Sequence, residues 1–134
     1  MNASVKPETA AANPFLPGTL RDGGELVGIR KEGEGFCAVI RAVGPEAETV
    51  LPWREAMDWA AGLTIGGFTD WRLPTRDDLR LMKASGLDFK KDWYWSSEEF
   101  GTGPAWFQGF DGGFQYSYGK LNDVRCRAVR KVLI

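Results

Sequence analysis

Apolar and polar positions divide the chain into three stretches of different period. The first holds two β-rich runs, Glu25–Lys31 (ELVGIRK) and Gly35–Val43 (GFCAVIRAV). Glu32, Gly33 and Glu34 join them, and a glycine-containing connection between such runs predicts a hairpin. Within the second run FCAVI is apolar on both faces, which predicts a central strand. A loop, GPEAETVLP, then leads to Pro52, after which Trp53, Ala56, Met57, Ala60 and Leu63 recur at helical spacing. That pattern predicts a helix opened by the proline and closed by Gly62 and the pair Gly66–Gly67.

A second helix is predicted in TDWRLPTRDDLRLM. Thr75 is its N-cap, Asp78 stands three residues on in the capping-box position, and Leu79 and Met82 form its apolar face. From Trp93 onward the chain reads as short strands cut by glycines: YWSS, PAWFQGF, GFQYSYGK and DVRCRAVRKVLI. Asp111–Gly112–Gly113 is a tight-turn signal. Val124, Cys126 and Ala128 alternate with Arg125 and Arg127 as two faces of one final strand. A strand pair, two helices and a run of strands predict an α+β domain with a mostly antiparallel, twisted sheet. It is expected to span residues 18–134, with residues 1–17, rich in Ala, Pro, Asn and Thr, as a flexible arm.

Composition narrows the chemistry. The 134 residues include no histidine, 17 glycines and 17 aromatics (8 Phe, 6 Trp, 3 Tyr), of which 11 fall between Phe89 and Tyr118. Without histidine, most nucleophile triads, His-based zinc sites and His acid–base catalysis drop out. A net charge of -1 offers no bulk attraction to nucleic acid or anionic lipid. No apolar stretch is long enough for a membrane span, and the N-terminus lacks the apolar block of a signal peptide, so the protein is expected to be made in the cytoplasm. Cys37 and Cys126 stand in strand patterns and not in a metal spacing, so both are expected as buried free thiols. The basic residues Lys120, Arg125, Arg127, Arg130 and Lys131 read as a solvated strand face.

The segment LTIGGFTDWRLPTRDDL, followed by YWSSEE, AWFQGF, DGGFQYSYGK and VRCRAVR, resembles the C-terminal domain family of the Legionella collagen-like protein, once known only as a domain of unknown function. The likeness runs from about Trp53 to Arg130, and the first hairpin resembles the variant found in bacteriophage and prophage genomes. The resemblance implies a C-type-lectin-like fold related to the formylglycine-generating enzymes, shared by adhesins and phage receptor-binding proteins, and it brings no established catalytic site. It implies scaffold roles for Trp71, Trp95, Trp106 and Phe110. Arg72 is expected to hold a loop, Pro74 to set the entry to the second helix, and Ser96 and Ser97 to satisfy loop backbone groups.

In lectin-like folds the ligand surface lies in the C-terminal half. Here that half carries Glu98, Glu99, Phe100, Phe107, Gln108, Asp111, Phe114, Tyr116, Tyr118, Asn122 and Asp123. Rings of this kind pack on apolar sugar faces or in protein interfaces, and amides and carboxylates bond hydroxyls. Phe114, Tyr116 and Tyr118 lie at i, i+2 and i+4, so they share one face, buried or exposed. Calcium is the one metal that Glu98, Glu99, Asp111, Asn122 and Asp123 would suit, but no EPN or WND tripeptide accompanies them and no cofactor is expected. The superfamily's oxidising members use paired cysteines, and Cys126 has no partner nearby in sequence.

The expectation is therefore a non-enzymatic recognition or structural module on a phage or prophage tail or fibre. Its partner would be a host-surface glycan or protein, or a tail protein, and the module would be incorporated into the virion. Homo-oligomerisation is compatible with that role. The alternative is an intracellular accessory protein that binds a host or phage protein as an inhibitor or assembly factor.

Overall fold

The computed structural model describes residues 13–134, so the greater part of the expected arm lies outside the described residues. Asn13–Pro17 form turns in which the Phe15 N–H donates to Asn13 Oδ1 and the Thr19 hydroxyl donates to the Leu16 carbonyl. The elements then run β1 (Leu20–Arg21), β2 (Gly24–Glu32), β3 (Gly35–Arg41), β4 (Glu48–Leu51), α1 (Trp53–Ala61), α2 (Arg76–Ala84), β5 (Trp93–Glu99), β6 (Pro104–Gly109), β7 (Gln115–Gly119), β8 (Val124–Arg127) and β9 (Val129–Leu133). They form two sheets, β1-β2-β3-β9 and β4-β8-β5-β6-β7. Strand pairs are antiparallel except β5–β8, which is parallel.

The α+β class, the hairpin β2–β3 and both helices agree with the sequence reading. As that reading requires, β3 is interior to its sheet and is buried on both faces from Cys37 to Arg41. Two expectations need correction. The loop before α1 contains a strand, β4, which pairs with β8. The final run is two strands, not one, and they belong to different sheets. The chain changes sheet at Ala128, whose carbonyl accepts from the Ala42 N–H (3.0 Å) and whose N–H donates to Ala47 (3.1 Å). No backbone group is orphaned at the crossing, which makes the switch affordable inside the protein.

α1 begins after Pro52, which holds the extended conformation that precedes a helix. Its alanines Ala56 and Ala60 let it lie close to the second sheet, and Trp53 Nε1 donates to the Ser96 carbonyl (2.8 Å). Gly62 ends it, and the N–H of Gly62 closes on Asp58. Gly66 has a different task. It sits at φ +63°, and a Cβ there would fall 2.2 Å from the Gly23 carbonyl oxygen on a crossing loop. Gly66→Ala is therefore expected to cost at least about 2 kcal/mol from left-handed strain and backbone overlap together, read as a drop in urea midpoint. A midpoint unchanged from the native chain would show that the loops part without cost.

α2 lies between the sheets. Leu79 and Met82 pack with Val27, Cys37 and Val39 of the first sheet, with Tyr94 of the second and with Phe110 in the turn after β6. The expected capping box is present: the Asp78 N–H donates to Thr75 Oγ1 (3.1 Å), and the Thr75 N–H donates to Asp78 Oδ2 (2.9 Å). Asp78 is fully buried and carries a second load. Arg30 Nε from β2 meets its Oδ1 at 2.7 Å, and Arg72 meets its Oδ2 at 2.7 Å. One carboxylate thus fixes the start of α2 to the first sheet and to the loop before the helix. Burial alone would raise the pKa of Asp78. The charge of Arg72, the Thr75 N–H and the bonds from Arg72 and Arg30 outweigh it and hold the carboxyl below the usual range.

The basic residues near the C-terminus are not a solvated face. Arg130 is buried against Asp70 (2.7 Å), Arg127 bonds Glu48 (3.2 Å) and the Ala42 carbonyl, and Arg125 lies between Glu48 and Asp92. Lys131 pairs with Glu32, and Lys120 with Glu99. The partners come from distant segments, so these cations tie the sheets to their loops. No helix of the described residues is long and apolar enough to cross a membrane.

Candidate functional site

The second sheet has two unlike faces. On one, α2 packs over β5 and β6. Gln108, a surface candidate from the sequence, is fully buried there: its Nε2 donates to the Leu79 carbonyl (2.9 Å) and its Oε1 accepts from Gln115 Nε2 (2.7 Å). Gln108 is a strut for α2, so it is withdrawn from the binding set. The same face carries Trp106, which is only half-buried, contrary to a pure core role. Phe100 meets it edge-on at 5.0 Å, and the Arg76 guanidinium covers it at 3.6 Å. Phe110 is core, as expected.

The other face is only partly covered. α1 packs against β4, β8 and β5, three neighbouring strands. Trp95, Val124 and Cys126 are sealed beneath it. β6 and β7 extend beyond its reach. Register places Phe107 opposite Trp95 and Tyr116, Tyr118 opposite Ala105, and Trp93 opposite Gly109, so these side chains share the uncovered face. Tyr116 is 55% exposed, Tyr118 44%, Phe114 65% and Trp93 37%. The row Phe114, Tyr116, Tyr118 is therefore an exposed one.

The rings form a continuous strip. Phe107 stacks between Trp93 (centroids 4.4 Å apart) and Tyr118 (4.9 Å). Tyr116 lies 6.0 Å from Trp93 and 6.4 Å from Phe114. Phe107 is itself buried under its neighbours, so it supports the strip and is not one of its surface residues. Gly109 lies beneath Trp93, where a Cβ would stand 3.2 Å from three atoms of the indole ring and would push the ring outward by a few tenths of an ångström. At one end of the strip Lys91, Asp92 and Asp111 line a cavity of about 240 Å³ with Trp93 and Phe114. At the other, Asp123 and Arg125 line a groove of about 390 Å³ with Trp93, Phe107 and Tyr118. An apolar floor with charged ends is the usual form of a recognition surface.

The remaining candidates are placed elsewhere. Glu98 accepts from the Arg76 N–H (2.8 Å) at the start of α2, and Glu99 is held by Lys120, which keeps its carboxyl below the usual range. Asn122 donates to the Gly119 carbonyl (3.1 Å) and closes the β7–β8 turn. Among the described residues no three Asp, Glu or Cys side chains converge as a metal cradle. The five acids and amides considered for calcium therefore do not fit one site.

Ser96 fills its expected role, as its hydroxyl accepts from the Glu98 N–H (3.0 Å). Ser97 acts through its backbone, donating to the Pro74 carbonyl (2.8 Å). Both cysteines are buried free thiols. The Cys126 thiol faces the Thr49 carbonyl (3.4 Å), and burial pushes its pKa up to about 12, the reverse of what a nucleophilic thiolate needs.

Trp93 is the strip residue that sequence reasoning missed. Its i, i+2 relation to Trp95 was the available signal, hidden because the YWSS block begins at Tyr94 and leaves Trp93 just outside it. A family model described as the Lcl C-terminal domain matches residues 30–130. No curated protein matches the chain.

Proposed function

The chain belongs to the Lcl C-terminal domain family, and from that premise we propose that it is a non-enzymatic recognition module that binds a host-surface glycan through its aromatic strip. The observation that carries this reading is the open half of the second sheet, where Tyr116, Tyr118, Phe114 and Trp93 lie exposed on one face. Rings of this kind supply apolar contact at low entropic cost, and the Tyr hydroxyls with Asp111 and Asp123 at the ends are suited to sugar hydroxyls. The two curled sheets and two helices support a C-type-lectin-like architecture. The absence of histidine and the high thiol pKa of Cys126 support a role without covalent chemistry. The resemblance of its first hairpin to the phage and prophage variant supports a position on a tail or fibre.

A glycan array combined with a bacterial-cell pull-down tests the reading. Selective retention on a saccharide or on host cells is the expected result. No binding to either, with no virion association by mass spectrometry, would overturn it. A stable cytoplasmic partner absent from particles would instead assign the module to the accessory class.

A further inference from the structure

Among the described residues the two sheets expose four edges, and three are guarded. β1 is two residues long and carries Arg21, β9 carries Arg130 and Lys131, and β4 is four residues long and carries Glu48. Short strands and charges are the devices by which natural sheets prevent edge pairing. β7 has neither. From Phe114 to Gly119 the sequence is FQYSYG, with no charge and no proline.

The backbone phase of β7 follows from its two ends. The Phe114 carbonyl accepts from the Gly109 N–H (3.0 Å), and the Lys120 N–H donates to the Gly103 carbonyl (2.8 Å). Even-numbered residues therefore turn their backbone groups inward to β6, and Gln115, Ser117 and Gly119 turn theirs to the free edge. The Gly119 carbonyl is engaged by Asn122, which leaves the Ser117 N–H and carbonyl, the Gln115 N–H and carbonyl and the Gly119 N–H facing outward.

This edge is self-complementary. Tyr116–Ser117–Tyr118 reads the same in both directions, so an antiparallel copy centred on Ser117 places each Tyr116 opposite a Tyr118. That pair is non-hydrogen-bonded, the position where cross-strand rings approach most closely and aromatic pairs stabilise most. Ser117 exchanges two backbone bonds with its own copy, and each Gly119 N–H reaches the Gln115 carbonyl of the other. No like charges meet. We propose that the protein forms a twofold dimer through β7, joining the two five-stranded sheets and their aromatic strips into one surface. The arrangement is isologous and closed, so it makes a dimer and not a fibre. It does not depend on what the strip binds.

Sedimentation velocity of the full chain tests it. A dimer that grows with concentration is expected. Ser117→Pro removes an outward N–H and no bond to β6, so the fold is kept and dimer affinity falls at least about tenfold. In Ser117→Cys, the paired Cα atoms are expected about 5.5 Å apart, within disulfide range. With oxidised glutathione as the oxidant, which takes up the two electrons and two protons of the thiol pair, this variant should therefore form a covalent dimer, while Thr102→Cys on an exposed loop does not. A chain that stays monomeric into the hundreds of micromolar, or a Ser117→Pro variant that dimerises as before, would overturn the proposal. Glycan binding by a monomer would leave the functional reading intact while removing this one.

Discussion

Asp78→Ala is expected to lose about 3–5 kcal/mol of stability, the usual cost of removing one partner from a buried ion pair. The loss compounds three roles of one side chain. Arg30, itself largely buried, would keep only Glu32, and Arg72 would lose its carboxylate. The Thr75 N–H would lose its acceptor at the start of α2. A cavity would open where both sheets meet the helix. Urea unfolding followed by near-ultraviolet circular dichroism measures the loss.

The same carboxylate sets an acid limit. Its folded pKa lies below the unfolded value of about 4, so its contribution is complete above that value and is lost as pH falls through the folded one. Native stability should decline steeply in acid, and the gap between native and Asp78→Ala should narrow over the same range. A gap under about 1 kcal/mol at neutral pH, or one that stays constant into acid, would show that the arginines find other partners.

The second large effect concerns binding. Trp93→Ala and Tyr116→Ala are each expected to weaken retention on the ligand at least about thirtyfold, the scale of a central aromatic anchor. Tyr116 is more than half exposed, so its loss should barely move the melting temperature. Trp93 supports Phe107 and covers Gly109, so its loss should also lower stability by a modest amount. Leu20→Ala, on the short β1 of the other sheet, should leave affinity unchanged. Equal affinity for the native chain and both strip variants would move the ligand away from this face.

Local chemistry was legible in the sequence. The capping box at Thr75 and Asp78, the start of α1 at Trp53 and the double burial of β3 follow from spacings within a few residues. What depended on distant partners was hidden. β4 is four residues with no clear period, and it becomes a strand because β8 pairs with it across the chain. The alternation of Val124, Cys126 and Ala128 runs unbroken through the sheet switch, so no periodic signal marks it. The C-terminal cations read as solvated because Asp70, Glu48 and Glu32 lie far upstream. For the aromatic row, spacing gives the shared face, but exposure depends on the reach of α1. A nine-residue helix is about 13 Å long, and strands lie about 4.8 Å apart. It covers about three strands, and the sheet has five.

The sheet switch at Ala128 also governs the order in which the domain can assemble. β3 needs β9 and β4 needs β8, each pair separated by most of the sequence. As the polypeptide leaves the ribosome, the hairpin β2–β3 can form early and α2 can cover Cys37 and Val39 in mid-synthesis, but the open edge of β3 has no partner until β9 emerges. Closing loops of that length slows folding. The nascent chain thus spends its synthesis with both sheets open, and a single late segment completes the two together.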